Sequence, residues 1–478
     1  MRWKTTVALL MAMVGLGAYI SLYEIKQPSR QEREQLAKRV VSVETDAATQ
    51  LVLDLPNAKA TLTRNGSAWT LSPRQVRADP TLVNRILGYL DPLTAERVLS
   101  ATPARPLDLK AFGLDPAVGW IAVASSGPPV TILIGDPTPV GGNRYLKIAD
   151  RPEVYVVASA LFDVANQPTD AFRDPLLLRF NASEVSSIAV ASPSSTFTVT
   201  RTDTAWRLTQ PFADAADRGE INALLNRLNS LRVQRFVDDA PAPDARTKAS
   251  LDTSPLHITV TQDKPSPSTT TVTFGGALEG AHGMVMVMRS DEPSLYAVAE
   301  TDLSAILRNP QGLRSRTCFE FFMSGVVKVE LSREGSGWTI ERRDGTWRDQ
   351  ATGSTLDAER VDDLLSELAD LRLSGFVEEV PSDLVRYGLE PPAGVMTVWT
   401  STRENPQRLL LGAPLEQSTS RYGRIEGRNA VVRLPEEAAA LLATTLDQLR
   451  ALSPVNTAPG PTAPPASPPT RSPSSTSK

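Results

Sequence analysis

A chain of 478 residues is too long for one ordinary core and implies two to four domains. Its 41% hydrophobic and 22% charged content is that of a globular protein, and 50 basic against 54 acidic residues provide no basic face of the kind nucleic acid requires. One cysteine, Cys318, and two histidines, His257 and His282, exclude an intramolecular disulfide, a thiolate metal cage and a multi-histidine metal centre.

Residues 1–4 carry Arg2 and Lys4, and an uncharged apolar run follows over residues 5–23. A helix of that length rises roughly 28 Å, close to the hydrocarbon thickness of a bilayer. Basic residues before the run predict a cytoplasmic N-terminus and a body outside the cytoplasm. The run is therefore expected to be an uncleaved signal anchor; a cleaved signal is the alternative, and both export the body. Residues 24–45 read as a charged stalk, helical over 27–40. Residues 453–478, dominated by Pro, Ser, Thr and Ala, are too poor in apolar side chains to offset the entropy of ordering and are expected to be disordered.

Between these ends one helix signature is written three times. Asp79 precedes Val83, Ile86, Leu87, Leu90 and Leu93; Asp217 precedes Ile221, Leu224, Leu225, Leu228 and Leu231; Asp357 precedes Val361, Leu364, Leu365, Leu368 and Leu371. The spacings are 217 − 79 = 138 and 357 − 217 = 140 residues, which marks an internal repeat. The aspartate is a suitable N-cap, and Pro80 suits the first helical position. Positions i, i+3, i+4, i+7 form one apolar stripe that must lie on a sheet. Before each helix, alternating apolar residues such as Leu51, Leu53 and Leu55 predict half-buried strands, closed by Trp69, Trp206 or Trp347.

After each helix the copies stay parallel. A short strand ends at Val98, Val237 or Val377. A turn follows, Phe112-Gly113-Leu114-Asp115-Pro116 in the first copy and Tyr387-Gly388-Leu389-Glu390-Pro391 in the third; the middle copy reads Ser250-Leu251-Asp252 and lacks the glycine. Strand pairs are expected over 120–124 with 131–134, 256–261 with 271–274, and 395–399 with 409–411. Each second strand runs into Gly135, Gly275 or Gly412, where a positive φ or a tight turn is expected. Tyr145 and Tyr422 sit in matching Arg-Tyr pairs, and closing helices start near Ser159, Thr301 and Pro435. The fold class is thus α+β: three tandem repeats, each a mostly antiparallel sheet with two helices, after an N-terminal transmembrane helix. The units are expected at 46–181, 182–323 and 324–452.

The order Trp-x-Leu, capped helix, aromatic-Gly-Leu-acid-Pro turn, strand ending in glycine, Arg-Tyr, and a boundary of the Phe172-Arg173-Asp174 type resembles the bacterial domain-of-unknown-function family numbered 4340. The resemblance covers about residues 46–450. It implies a membrane-anchored envelope protein, often encoded beside genes for gliding-motility-type ABC transporters, with no activity assigned.

No catalytic set emerges. The three tryptophans are expected in the core rather than stacked on sugars. The adjacent acids Asp238-Asp239 and Glu378-Glu379 point to opposite faces of a strand, which suits a two-carboxylate hydrolase poorly, and are expected as solvated loop charge. Cys318 is expected to be a buried thiol, and His257 to lie on the solvent face of a strand. There is no Gly-x-Ser-x-Gly elbow, His-Glu-x-x-His helix or Gly-Lys-Ser/Thr phosphate loop. Catalytic, cofactor and metal residues are therefore expected to be none. The candidate ligand or partner surface is Phe112, Gly113, Leu114, Tyr387, Gly388, Leu389, Tyr145 and Tyr422. The expected function is a non-enzymatic scaffold or accessory of an ABC transporter in the bacterial inner membrane, with a periplasmic body and no nucleic acid partner. A glycan- or lipid-binding module is the alternative, and a carboxylate-based exported hydrolase the third.

Overall fold

The computed structural model describes residues 38–450, apart from 42, 67, 102–105, 126, 204 and 264–266, together with the isolated positions 3 and 13. The expected anchor over 5–23 and tail over 453–478 lie outside the described residues, isolated Met13 excepted. Among the described residues no helix is long and apolar enough to cross a membrane.

The first repeat opens with β1 (Arg39–Val41), β2 (Gln50–Asp54), β3 (Lys59–Asn65), β4 (Ala68–Ser72) and β5 (Val76–Arg77). Helix α1 (Pro80–Leu90) leads to β6 (Leu93–Thr94) and β7 (Arg97–Leu99). Strands β8 (Gly119–Ala124), β9 (Val130–Pro137), β10 (Asn143–Ile148) and β11 (Val154–Ala158) and helix α2 (Ala160–Ala165) complete it. The strands order as β5-β4-β3-β2-β8-β9-β10-β11-β7 in one antiparallel sheet. Helix α1 therefore carries the chain from one edge strand to the other, across the whole face. That path explains the stripe: Val83, Ile86, Leu87 and Leu90 are all buried. Leu51, Leu53, Ile121 and Ile132 alternate inward along their strands and join the same core. The Asp79 carboxylate accepts the Thr81 amide at 2.9 Å, which satisfies one donor the first turn leaves open.

The second repeat runs through β12 (Val185–Ala191), β13 (Phe197–Thr202), β14 (Ala205–Gln210), β15 (Asp214–Ala215) and α3 (Arg218–Ser230). It continues with β16 (Arg235–Asp238), α4 (Ala245–Lys248), β17 (His257–Gln262), β18 (Ser268–Ala277), β19 (Met284–Arg289), β20 (Leu295–Ala299) and α5 (Glu300–Ile306). The third comprises β21 (Val326–Arg333), β22 (Ser336–Arg343), β23 (Thr346–Asp349), α6 (Ala358–Asp370) and β24 (Gly375–Glu378). It ends with β25 (Gly394–Thr400), β26 (Gln407–Pro414), β27 (Arg421–Ile425), β28 (Val431–Leu434) and α7 (Glu436–Ala443). Its sheet orders as β23-β22-β21-β25-β26-β27-β28-β24, the plan of the first with the short edge strand absent. Asp357 caps α6 through the amides of Glu359 at 3.0 Å and Arg360 at 3.4 Å.

Three expectations need correction. The stalk ends before residue 39: Arg39–Val41 is a strand paired with β6, and Val40, Val41 and Val43 belong to the first core. The compact units are two rather than three, residues 1–204 with 219–312 and residues 205–218 with 313–478. The β14–β15 hairpin, written in the second repeat, thus belongs to the second compact unit. Gly135, Gly275 and Gly412 do not have positive φ. Their need for glycine is close approach, because an added Cβ would lie 2.3 Å from the Phe112 carbonyl oxygen, 2.1 Å from that of Ala249 and 2.3 Å from that of Tyr387.

Candidate functional site

The aromatic turns and the Arg-Tyr pairs, about 30 residues apart in the chain, are one device. The Phe112 and Tyr145 rings lie 4.7 Å apart, and those of Tyr387 and Tyr422 lie 5.0 Å apart. Gly113 and Gly388 adopt φ of 63° and 62°, and swing the chain so that the next leucine turns inward. Leu114 and Leu389 are accordingly buried. Arg144 donates to the Gly135 carbonyl at 2.8 Å and Arg421 to that of Gly412 at 2.6 Å. Each strand glycine is thus held by an arginine while the turn rests on it.

The middle copy keeps this backbone without its glycine. Ser250 takes φ 55°, a left-handed conformation that costs a non-glycine residue about 1–2 kcal/mol. Ala249 stands where the ring was, and Met286 replaces the tyrosine in a small core with Leu251, Met288 and Leu295. Of the eight candidate surface residues, Leu114, Leu389 and Tyr387 are buried and the others are half-buried. The patch is therefore narrower than the sequence suggests.

In the third repeat the turn also carries charge. The Tyr387 hydroxyl donates to Glu378 at 2.7 Å, and Arg386 pairs with the same carboxylate. These two donors, the tyrosine first, hold the Glu378 carboxyl below the usual carboxylate range. A depressed value means the bond stabilises the turn above the unfolded-state pKa and is lost as pH falls through the lower folded value. Tyr387→Phe removes one donor and is expected to move the Glu378 titration, followed by carboxyl NMR, back toward the ordinary range. An unmoved titration would show that Arg386 alone sets it.

The densest chemistry lies elsewhere, in two clefts at equivalent places of the repeat plan. One belongs to the first compact unit, has a volume of about 470 Å³, and is lined by Trp69, Arg77, Asp174, Arg179, Arg289 and Asp291 among others. The other belongs to the second unit, has about 570 Å³, and is lined by Arg207, Cys318, Glu320, Arg403, Arg408 and Arg428 among others. In both, the walls are the small hairpin after the tryptophan, the segment after the boundary arginine, and the turn closing the third strand of the following sheet.

The charges in these walls are largely occupied with each other. In the first unit Arg77 donates to the carbonyls of Leu176 at 2.8 Å and Leu177 at 3.1 Å, and lies 3.3 Å from Asp174 and 3.6 Å from Glu292. Burial first, and the facing Arg289 charge second, lower the Arg77 pKa. Arg289 holds the Leu177 carbonyl at 2.6 Å and Asp291 at 2.8 Å. Burial would raise the Asp291 carboxyl, but the hydrogen bond and charge of Arg289 outweigh it and leave the carboxyl lowered. Below, Arg173 pairs with Asp239 and stacks 3.8 Å from the Phe236 centroid, while Arg74 reaches the other Asp239 oxygen at 2.8 Å.

In the second unit Asp214 is 2% exposed and sits between two buried guanidiniums. Arg314 approaches its Oδ2 at 2.6 Å, and Arg428 clamps it with bonds of 2.6 and 2.7 Å while holding the Ser315 carbonyl at 2.9 Å. Arg314 also bonds Glu379 at 2.6 Å and lies 3.2 Å from the Phe376 centroid and 4.4 Å from that of Phe212. Arg314 is thus the second copy of Arg173, with Phe376 and Glu379 in the roles of Phe236 and Asp239. The expectation of solvated loop charge is corrected for three of these four acids: Asp239 is 6% exposed against Arg173, Glu379 is the partner of the buried Arg314, and Glu378 is paired with Arg386. The signal was present in the sequence as an aromatic followed three residues later by an acid.

Cys318 is buried, and burial pushes its thiol up to about 12, away from thiolate chemistry. His257 is half-buried in β17, with Nδ1 3.1 Å from the Thr273 hydroxyl. Trp69, Trp206 and Trp347 are all buried. Among the described residues no group of three or more His, Cys, Asp or Glu side chains is placed to hold a metal ion.

The profile of one family, described as a domain of unknown function (DUF4340), matches residues 69–253, 206–380 and 351–460. The chain belongs to the DUF4340 family. Each of the first two matches begins within three residues of a hairpin tryptophan, overlaps the next, and ends in the repeat that follows. A family unit thus spans from one β4-type hairpin through the helix and into the next repeat's turn region, the stretch that contains the boundary arginine. No curated protein and no solved structure matches the chain.

Proposed function

We propose that this DUF4340 chain is a non-enzymatic, membrane-anchored envelope protein whose three repeats scaffold or assist an ABC transporter system of the gliding-motility type. Its body would lie on the periplasmic side of a bacterial inner membrane. The observation that carries the reading is the use made of the polar side chains. Asp174, Asp291, Glu320 and Glu426 line the two clefts, and each is bonded to an arginine, at 2.9 Å for Arg179–Asp174, 3.3 Å for Arg403–Glu320 and 3.1 Å for Arg408–Glu426. A general acid needs a raised carboxyl pKa, and Asp291 and Glu378 are displaced the other way. The buried charge serves to fix repeat to segment, as a rigid presenting surface requires.

The anchor over residues 5–23 and the family resemblance supply the compartment and the partner class in this reading. Gently solubilised membranes containing the chain at native abundance are expected to yield transporter subunits with it on affinity purification. Recovery of the chain alone under conditions that keep the transporter assembled would overturn the proposal.

A further inference from the structure

The two helices of the third repeat leave an open groove between them. It lies within the second compact unit, has a volume of about 530 Å³, and is formed by the end of α6 and the start of α7. Leu371 and Leu441 line it and are buried, while Glu367 and Asp370 on α6 and Glu437 on α7 line it and are exposed. None of these three carboxylates has a hydrogen-bond or ion-pair partner among the described residues. Arg372 is the one cation in the lining, and it is spent on its own helix end: it donates to the carbonyls of Ala369 at 2.7 Å and Leu371 at 3.2 Å.

Folding does not call for acids at this place. The last turn of a helix carries partial negative charge and is stabilised by cations. Helix α3 follows that rule. Its Arg227, at 367 − 140 = 227 in the repeat, reaches across to the closing helix α5 and donates to the Ala305 carbonyl at 2.7 Å. Helix α1 has Tyr89 at the same position, 227 − 138 = 89. The last turn of α6 holds Glu367 and Asp370 and has no basic residue. Between the same two helices, the second repeat seats its own guanidinium and the third presents unpaired carboxylates beside buried leucines.

We propose that this groove docks a basic segment of another protein, with an arginine among Glu367, Asp370 and Glu437 and an apolar side chain on Leu371 and Leu441. Charge complementarity selects this occupant, because the same carboxylates repel anionic lipid headgroups and nucleic acid phosphates. The inference names the partner chemistry of the scaffold reading and rests on it for the existence of a partner. Its test contains no transporter, so the two can fail separately.

The probe is a fluorescein-labelled amphipathic peptide with leucines on one face and arginines on the other; its control has glutamine for each arginine. In anisotropy titrations with the full chain in non-ionic detergent, read against a detergent-only blank, the arginine peptide is expected to bind and the glutamine peptide is not. Glu367→Arg writes the second repeat's residue into the third. It is expected to weaken binding at least roughly tenfold, with a thermal midpoint no lower than wild type. Glu437→Gln, on the other wall, is expected to weaken it by a smaller factor. Glu416→Arg makes the same charge change at an exposed acid outside the lining and is expected to leave binding unchanged. Failure of the arginine peptide to bind, or binding that Glu367→Arg and Glu437→Gln leave unchanged, would overturn the proposal. Equal weakening by Glu416→Arg would do the same, because the peptide would then read overall charge. Two other results would assign the groove to a different occupant and overturn it too. One is roughly tenfold tighter peptide binding after Arg471→Ser with Lys478→Ser, which would place the chain's own tail there. The other is self-association of the chain that Glu367→Arg abolishes, which would place a second copy there.

Discussion

Replacing Asp214 by alanine is expected to destabilise the second compact unit by about 3–5 kcal/mol, the usual cost of leaving buried charge without its counterion. Arg314 and Arg428 are 1% and 8% exposed, and the single carboxylate receives bonds of 2.6 to 2.7 Å from both. Its removal leaves Arg428 with the Ser315 carbonyl alone and Arg314 with Glu379. Denaturant unfolding followed by fluorescence of Trp206 and Trp347, both within that unit, would read the change. Arg428→Met added to Asp214→Ala should recover part of the loss by removing one stranded cation. A loss under about 1 kcal/mol would mean that water reaches the site and the clamp is not what holds it.

Gly412→Ala is the second large effect, expected at about 3 kcal/mol. The new Cβ would stand 2.3 Å from the Tyr387 carbonyl oxygen and 3.1 Å from the Leu389 side chain, with backbone on one side and a buried leucine on the other. Neither can retreat, because Arg421 pins the Gly412 carbonyl and Tyr422 packs on Tyr387. Gly388→Ala in the same turn meets its own limit, a φ of 62° and a Cβ 2.7 Å from the Ala413 nitrogen. The comparison that discriminates is Ser250→Gly in the middle repeat. It relieves a left-handed serine and is expected to raise the midpoint of thermal unfolding where the other two substitutions lower it. A Gly412→Ala protein as stable as wild type would refute the close approach.

The parts of this fold that a reader of the sequence can recover are those in which one residue type recurs at a short period. The leucine stripes of α1, α3 and α6 and the capping aspartates announce themselves within a dozen residues, because a helix repeats every 3.6. The alternation in β2 and β3 is equally local. The charge clusters are not recoverable that way. Asp214, Arg314 and Arg428 are separated by 100 and 114 positions, and each alone looks like an ordinary surface residue. For the acidic pairs, Asp238 is exposed and Asp239 is turned toward Arg173, whereas Glu378 and Glu379 each meet a different arginine, Arg386 and Arg314. Placing all four in solvent missed three of them. The strand glycines were visible as a pattern, but their cause lies in a turn more than 20 residues upstream, which no local rule contains.

The assignment of residues 205–218 to the second compact unit changes what a cut through this gene would produce. A fragment ending at residue 312 takes Asp214 with it and discards both guanidiniums that neutralise it. A fragment beginning at residue 313 inherits two buried cations and no carboxylate between them. A cut between residues 312 and 313 therefore gives two pieces, each with stranded charge. A rearranged gene, in which residues 205–218 are joined by a flexible linker ahead of 313–450, is the dissection that keeps the ion cluster whole.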